Sequence, residues 1–148
     1  MVKISIKDLT FSYRSNKILD DLSIMVDDAQ ILSLVGPNGS GKTTLIKCID
    51  RILKPKGSIL LEGRDVQSMK QQEIAKQIGY VPQSSSTPLA TTVFDTVLMG
   101  RRPHISWKVS DADLDKVADT LKLLDLQGLA MRDFSQLSGG QKQKVLIA

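Results

Sequence analysis

Apolar and polar positions change period several times along this chain, and each change marks an element. Residues 1–9 alternate, with Val2, Ile4 and Ile6 against Lys3, Ser5 and Lys7. A period of two predicts a half-exposed strand, the kind that pairs antiparallel. Phe11 and Tyr13 follow, then a polar turn at residues 14–17 and a second apolar stretch at residues 18–26. Asp27, Asp28 and Ala29 turn the chain into residues 31–35, Ile-Leu-Ser-Leu-Val. That nearly unbroken apolar run suits a strand buried on both faces of a parallel sheet. From Thr44 the period becomes helical: Leu45, Ile49 and Ile52 share one face of a helix over residues 44–53. Lys54, Pro55 and Gly57 stop it.

Residues 58–61 read as a short strand and residues 62–65 as a turn. The polar stretch 68–77 has Met69, Ile74 and Ala75 as its apolar anchors and reads as a surface helix. Residues 78–81 form another short, buried strand that ends at Pro82 and Gln83, before a polar linker at residues 84–88. Beyond the linker the pattern is helical. Thr92 and Asp95 match a capping box, Val93, Phe94, Val97 and Leu98 follow at helical spacing, and Gly100 ends the helix. Ser110 and Asp113 make a second box, and Leu114, Val117, Ala118 and Leu121 form one core-facing stripe. Between the two helices, residues 101–107 carry the only His and the only Trp. This basic, aromatic loop reads as a protein contact surface or a packed loop in preference to a small nucleic-acid patch. His104 has no Cys or His partner for a metal site.

Composition narrows the class. The chain has 148 residues, enough for one domain with a real core, and 41% hydrophobic and 24% charged residues, as in soluble globular proteins. No run spans a bilayer and no signal peptide opens the chain, so a cytoplasmic location is expected. Cys48 is the only cysteine, which excludes an internal disulfide; it reads as a small core residue. The net charge of +4 comes from scattered residues. A solvated surface plus a phosphate site accounts for it, and no nucleic acid partner is expected.

The chemistry centres on Gly36-Pro37-Asn38-Gly39-Ser40-Gly41-Lys42-Thr43, followed by Thr44. The two glycines five apart, followed by Lys and Thr, fit a phosphate-binding loop, and the flanking apolar run and helical pattern supply the context the motif requires. The glycines let backbone N–H groups approach phosphate oxygens, and the helix start adds free N–H groups and the positive end of its dipole. Lys42 places a charge near the β- and γ-phosphates, and Thr43 offers a hydroxyl to Mg²⁺. Upstream, Phe11 and Tyr13 are equally compatible with a base-stacking platform and with core packing. Gln83, at a strand mouth, can reach a metal or water or can lie in solvent. A guanine reader is disfavoured, because Asn16-Lys17-Ile18-Leu19 lacks the necessary Asp.

A second motif, Leu137-Ser138-Gly139-Gly140-Gln141, opens the last helical stretch. Ser138 and Gln141 make a capping box. Adjacent glycines cost roughly 1 kcal/mol each in a helix interior, less in the first turn, so capping alone does not require them. They leave a bare helix start that another phosphate can approach.

Taken together these motifs resemble the nucleotide-binding subunit of ATP-binding cassette (ABC) transporters, over essentially the whole chain. Tyr13 matches the family's adenine-stacking aromatic, residues 36–43 its Walker A loop, Gln83 its Q-loop glutamine and residues 137–141 its signature. The segment from Val97 to His104 further resembles the importers of iron chelates and cobalamin. The resemblance implies an α/β P-loop fold: a parallel core sheet around the loop, an N-terminal antiparallel β part joined by residues 58–61, and a helical part carrying the signature. It divides the chain into residues 1–83, the nucleotide-binding core and β part, and residues 84–148, linker and helical part. It implies ATP and Mg²⁺ as ligands, with Thr43 and Gln83 toward the metal. It also implies a second, identical subunit facing Ser138-Gly139-Gly140-Gln141, and a polytopic permease that holds the subunit at the cytoplasmic face of the membrane.

In the family the signature helix is followed by the Walker B Asp, the catalytic Glu and the switch His, and this sequence ends at Ala148, inside that helix. No residue here matches those groups, so the chain is expected to be a partial cassette with the phosphate cradle but without a catalytic base. Lacking the neighbouring strand, residues 31–35 are expected to form an apolar edge that makes the isolated chain poorly soluble or partly molten. Two other readings stand beside the transporter subunit: a nucleotide-binding module without turnover, and a soluble cassette protein outside transport.

Overall fold

A computed structural model of the chain describes residues 2–83 and 91–148. The linker expected at residues 84–88 lies outside the described residues. The chain separates into two compact units, Met1–Ile78 and Gly79–Ala148.

The first unit is built on an antiparallel sheet in the order β2-β1-β3-β4. Its strands are β1 (Val2–Tyr13), β2 (Asn16–Asp27), β3 (Lys56–Leu61) and β4 (Arg64–Asp65). The alternation read at residues 1–9 sets the register: Ile4 faces Val26 and Leu61, and Ile6 faces Ile24 and Ile59. Ile6, Leu9, Leu19, Ile59 and Leu61 thereby reach one core, together with Val66, Met69 and Ile74. Both ladders of β1 are irregular after residues 6 and 7, where Asp8 takes φ 51° and its N–H bonds Ser23 Oγ at 3.0 Å. Gly57 fits against this bulge. Its φ is +95°, and a Cβ there would lie 2.5 Å from the Asp8 carbonyl oxygen and 2.7 Å from that of Lys7. No L side chain suits that conformation or that space.

Helix α1 (Lys42–Ile49) lays Leu45 and Cys48 on the same core. It is shorter than its apolar pattern predicts. Arg51 turns left-handed at φ 56° and the Leu53 N–H reaches back to the Lys47 carbonyl at 3.0 Å, so the helix closes before Ile52. Burial without a polar partner pushes the Cys48 thiol up to about 11. Asp50, at the end of α1, is buried with Oδ2 unpartnered among the described residues, and burial raises its carboxyl above the usual range. The polar stretch 68–77 yields only the short helix α2 (Gln71–Ala75), pinned by buried Met69 and Ile74.

Two expected strands are not formed. Residues 31–35 carry no strand, and Ile31 and Val35 are 94% and 95% exposed. A strand needs a ladder partner as well as apolar side chains, and all four strands of this unit belong to the antiparallel sheet. No parallel pair occurs among the described residues. An apolar cleft of about 460 Å³, walled by Leu19, Leu22, Ile24, Leu34 and Leu45, is left beside this segment. Residues 78–81 are likewise not a strand, and Tyr80 and Val81 are exposed.

The second unit packs α3 (Val93–Gly100), α4 (Asp111–Leu123) and α5 (Gly139–Ile147) around Val93, Val97, Val117, Leu121, Leu126, Phe134, Leu137 and Val145. All three helices begin with a capping box, at Thr92/Asp95, Ser110/Asp113 and Ser138/Gln141. The α4 stripe is narrower than the pattern predicts. Val117 and Leu121 are buried, whereas Leu114 and Ala118 are exposed. Asp113 takes the next buried position, because Arg101 donates to its Oδ1 through Nε at 3.2 Å and Nη2 at 3.0 Å. The two Ser110 hydrogen bonds, and then Arg101, hold the Asp113 carboxyl below the usual range.

Candidate nucleotide-binding site

The loop from Gly36 to Gly41 joins residues 31–35 to α1, and its shape follows from three local restraints. The Ser40 N–H bonds the Pro37 carbonyl at 3.3 Å and closes a turn around Asn38 and Gly39. Gly41 starts α1 in a left-handed conformation, φ 91°, and a Cβ there would stand 3.1 Å from both the Ile18 and Leu19 side chains. Thus Gly41 permits both the turn and the close approach of β2. Lys42 folds back over the loop: Nζ donates to the Gly36 carbonyl at 2.8 Å, the Pro37 carbonyl at 2.7 Å and Ser40 Oγ at 3.4 Å. The two short bonds fix the ammonium, and the long third one leaves its remaining proton weakly engaged.

The start of α1 differs from the starts of α3, α4 and α5. It has no side-chain cap, and, like α5 alone among these, it has no acidic residue in its first turn. Its opening N–H groups therefore lack the partners that Thr92, Ser110 and Ser138 provide elsewhere. Nothing lies within 4 Å of where a Gly39 Cβ would be, so the loop is open on that side, and Thr43 is exposed. An uncapped helix N-terminus and one fixed cation, with no acidic residue in the first turn of α1, suit a multiply charged phosphate. An exposed hydroxyl beside them suits a phosphate-bound Mg²⁺, so the residues present fit both groups.

The aromatic pair separates. Phe11 packs against the core of the first unit, while Tyr13 is 47% exposed beside the β1–β2 turn, and their rings meet edge to face at 4.9 Å. Tyr13 is thus the one of the two whose ring is open to a ligand. Gln83 is exposed and belongs to the second unit. In that unit Ser138 Oγ accepts from the Gln141 N–H at 3.3 Å, and Gln141 Oε1 accepts from the Ser138 N–H at 2.9 Å. Gly139 and Gly140 are exposed, with nothing within 4 Å of either Cβ position. Pattern reading missed the carbonyl clamp on Lys42. Its only sequence signal is the spacing of five and six residues back to Pro37 and Gly36.

Known proteins bear on these features. The profile of the ABC transporter family matches residues 19–148. An uncharacterized ABC transporter ATP-binding protein of Methanocaldococcus jannaschii is 46% identical over 98% of this chain and 57% of its own length. A petrobactin import ATP-binding protein of Bacillus anthracis is 38% identical over 96% of this chain and 53% of its own. The crystal structure of a nucleotide-free ATP-binding cassette from an ABC transporter superimposes with a TM-score of 0.86 at 28% identity, covering 99% of this chain and 63% of that one. The chain thus spans about half the length of the curated relatives it matches. The family profile over residues 19–148 and a fold shared along nearly all of its own length place this chain in the ABC transporter family, with its P-loop NTPase fold.

Proposed function

We propose that this chain is the ATP-binding part of an ABC importer subunit, of the iron-chelate or cobalamin type. One observation carries the reading: an uncapped helix start whose loop clamps Lys42 through its own carbonyls. In this reading the N–H groups of Asn38, Gly39, Gly41, Lys42, Thr43 and Thr44, in a loop shaped by Gly36, Pro37 and Ser40, and the Lys42 ammonium hold the β- and γ-phosphates. Tyr13 stacks on the base. Thr43 would offer its hydroxyl to Mg²⁺, which when bound would neutralise phosphate charge, and Gln83 is the Q-loop glutamine that the family resemblance assigns to the metal. Ser138, Gly139, Gly140 and Gln141 meet the phosphate held by a second copy of the subunit, and closure of the pair moves a polytopic permease at the cytoplasmic face of the membrane. The exposed Tyr13, Thr43, Gln83, Gly139 and Gly140 support this reading, since each must be open to a ligand.

Hydrolysis needs a positioned water and a held metal in addition to the phosphate cradle. Lys42→Ala is expected to weaken ATP binding at least tenfold, about 1.4 kcal/mol, by titration calorimetry. Unchanged affinity would remove Lys42 from the site. Phosphate release on the same sample distinguishes turnover from binding alone.

A further inference from the structure

Phe11 and Tyr13 stand two residues apart on β1, and their rings meet with centroids 4.9 Å apart and planes at 85°. Phe11 is the anchored member. It is half-buried, packs against the core of the first unit, and pairs across the ladder with Leu19. Leu19 is itself buried, and its Cδ2 stands 3.1 Å from where a Gly41 Cβ would be, with Ile18 Cγ2 as close. One run of packing thus leads from the phosphate loop through Leu19 to the Phe11 ring. Tyr13 is the free member. It lies at the hairpin end opposite Asn16 and is exposed, and its hydroxyl has no hydrogen-bond partner among the described residues. The ring contact with Phe11 is left to orient it.

We propose that Phe11 is the positioning residue of the base platform: it holds the Tyr13 ring in a set orientation beyond the phosphate loop, a role that presupposes Tyr13 stacking on the base. A near-perpendicular pair sets the positive edge of one ring against the negative face of the other, which favours it over a face-to-face sandwich. An exposed ring without such a contact spreads over several rotamers, and a base then has to select one of them, which weakens the stack. With the contact the ring is arranged before the nucleotide arrives. At 85° Phe11 does not lie flat on Tyr13, so at least one Tyr13 face is left for the base. The Lys42 clamp and the start of α1 make no use of the ring, so Phe11 acts on the base end of a nucleotide and not on its phosphates.

Two ligands separate the two ends: ATP and inorganic triphosphate, each titrated with Mg²⁺ by calorimetry. Phe11→Leu should weaken ATP about threefold and leave triphosphate affinity unchanged. The adenine H2 and H8 resonances of bound ATP, moved upfield by the Tyr13 ring current, should shift less in that variant at saturation. Phe11→Tyr, which keeps an aromatic ring, should restore both readouts. Phe11→Met reads the same loss if circular dichroism shows that Phe11→Leu disturbs the sheet. Tyr13→Ala should weaken ATP about tenfold. An equal loss of ATP and triphosphate in Phe11→Leu and Phe11→Met overturns the proposal, because the ring then only supports the fold around the loop. So do unchanged ATP affinity and unchanged adenine shifts in both. If Tyr13→Ala still weakens ATP, the positioning role alone has failed; if Tyr13→Ala changes nothing, the stacking assignment of Tyr13 falls with it.

Discussion

The notch at Gly57 gives a stability prediction that the structure supplies with its own control. Gly57 and Gly63 both lie in the first unit and both have positive φ, +95° and +79°. Around Gly63 nothing lies within 4 Å of a Cβ, whereas at Gly57 the Cβ would meet the Asp8 and Lys7 carbonyl oxygens at 2.5 and 2.7 Å. Gly63→Ala therefore costs the left-handed conformation alone, about 1–2 kcal/mol. Gly57→Ala adds displacement of a rigid backbone carbonyl at the β1 bulge, about 1–3 kcal/mol more, by analogy with overpacking. The total, about 2–5 kcal/mol, is a large share of the ~5–15 kcal/mol that a domain has. Urea unfolding followed by far-ultraviolet circular dichroism reads both variants. An unchanged slope with a lower midpoint assigns the difference to the folded state. Equal destabilisation by the two substitutions would refute the steric argument and leave φ as the whole cost.

Two further outcomes follow from the titrating groups. The Asp50 carboxyl is raised by burial, so its ionisation opposes folding: stability is greatest below about 3.8 and falls as pH rises through the raised folded value. Asp50→Asn is expected to remove that fall and to raise the melting temperature at neutral pH; an identical pH profile would show that Oδ2 finds a partner. Asp113 has the opposite sign. Lowered by Ser110 and then Arg101, it stabilises the start of α4 above about 3.8, and that contribution is lost as pH falls through the folded value. Asp113→Asn should abolish this acid sensitivity in amide exchange of residues 111–114, and an unchanged acid profile would exclude it.

Local chemistry was the readable part of this chain. The β1–β2 hairpin follows from alternation at residues 1–9, and the phosphate loop from residues adjacent in sequence. What stayed hidden depends on distant partners. Residues 31–35 have the composition of a buried strand, but a ladder is a property of two segments, and among the described residues none pairs with this one. Leu114 has the right spacing for the α4 stripe, yet Asp113 takes the buried place because Arg101, twelve residues earlier, neutralises it. Phe11 and Tyr13 were indistinguishable by type. Phe11 falls over the core and Tyr13 past its end, at the hairpin turn, which only the register of β1 decides.

The uncapped start of α1 has a consequence for how the first unit responds to a ligand. The helices of the second unit finish their first turns with their own side chains, and so hold them whether or not anything is bound. Helix α1 borrows that finishing from its guest. Its first turn is therefore the place where occupancy and local order are one quantity, and an anion seated there would slow amide exchange at Lys42, Thr43 and Thr44 well before it altered the sheet behind.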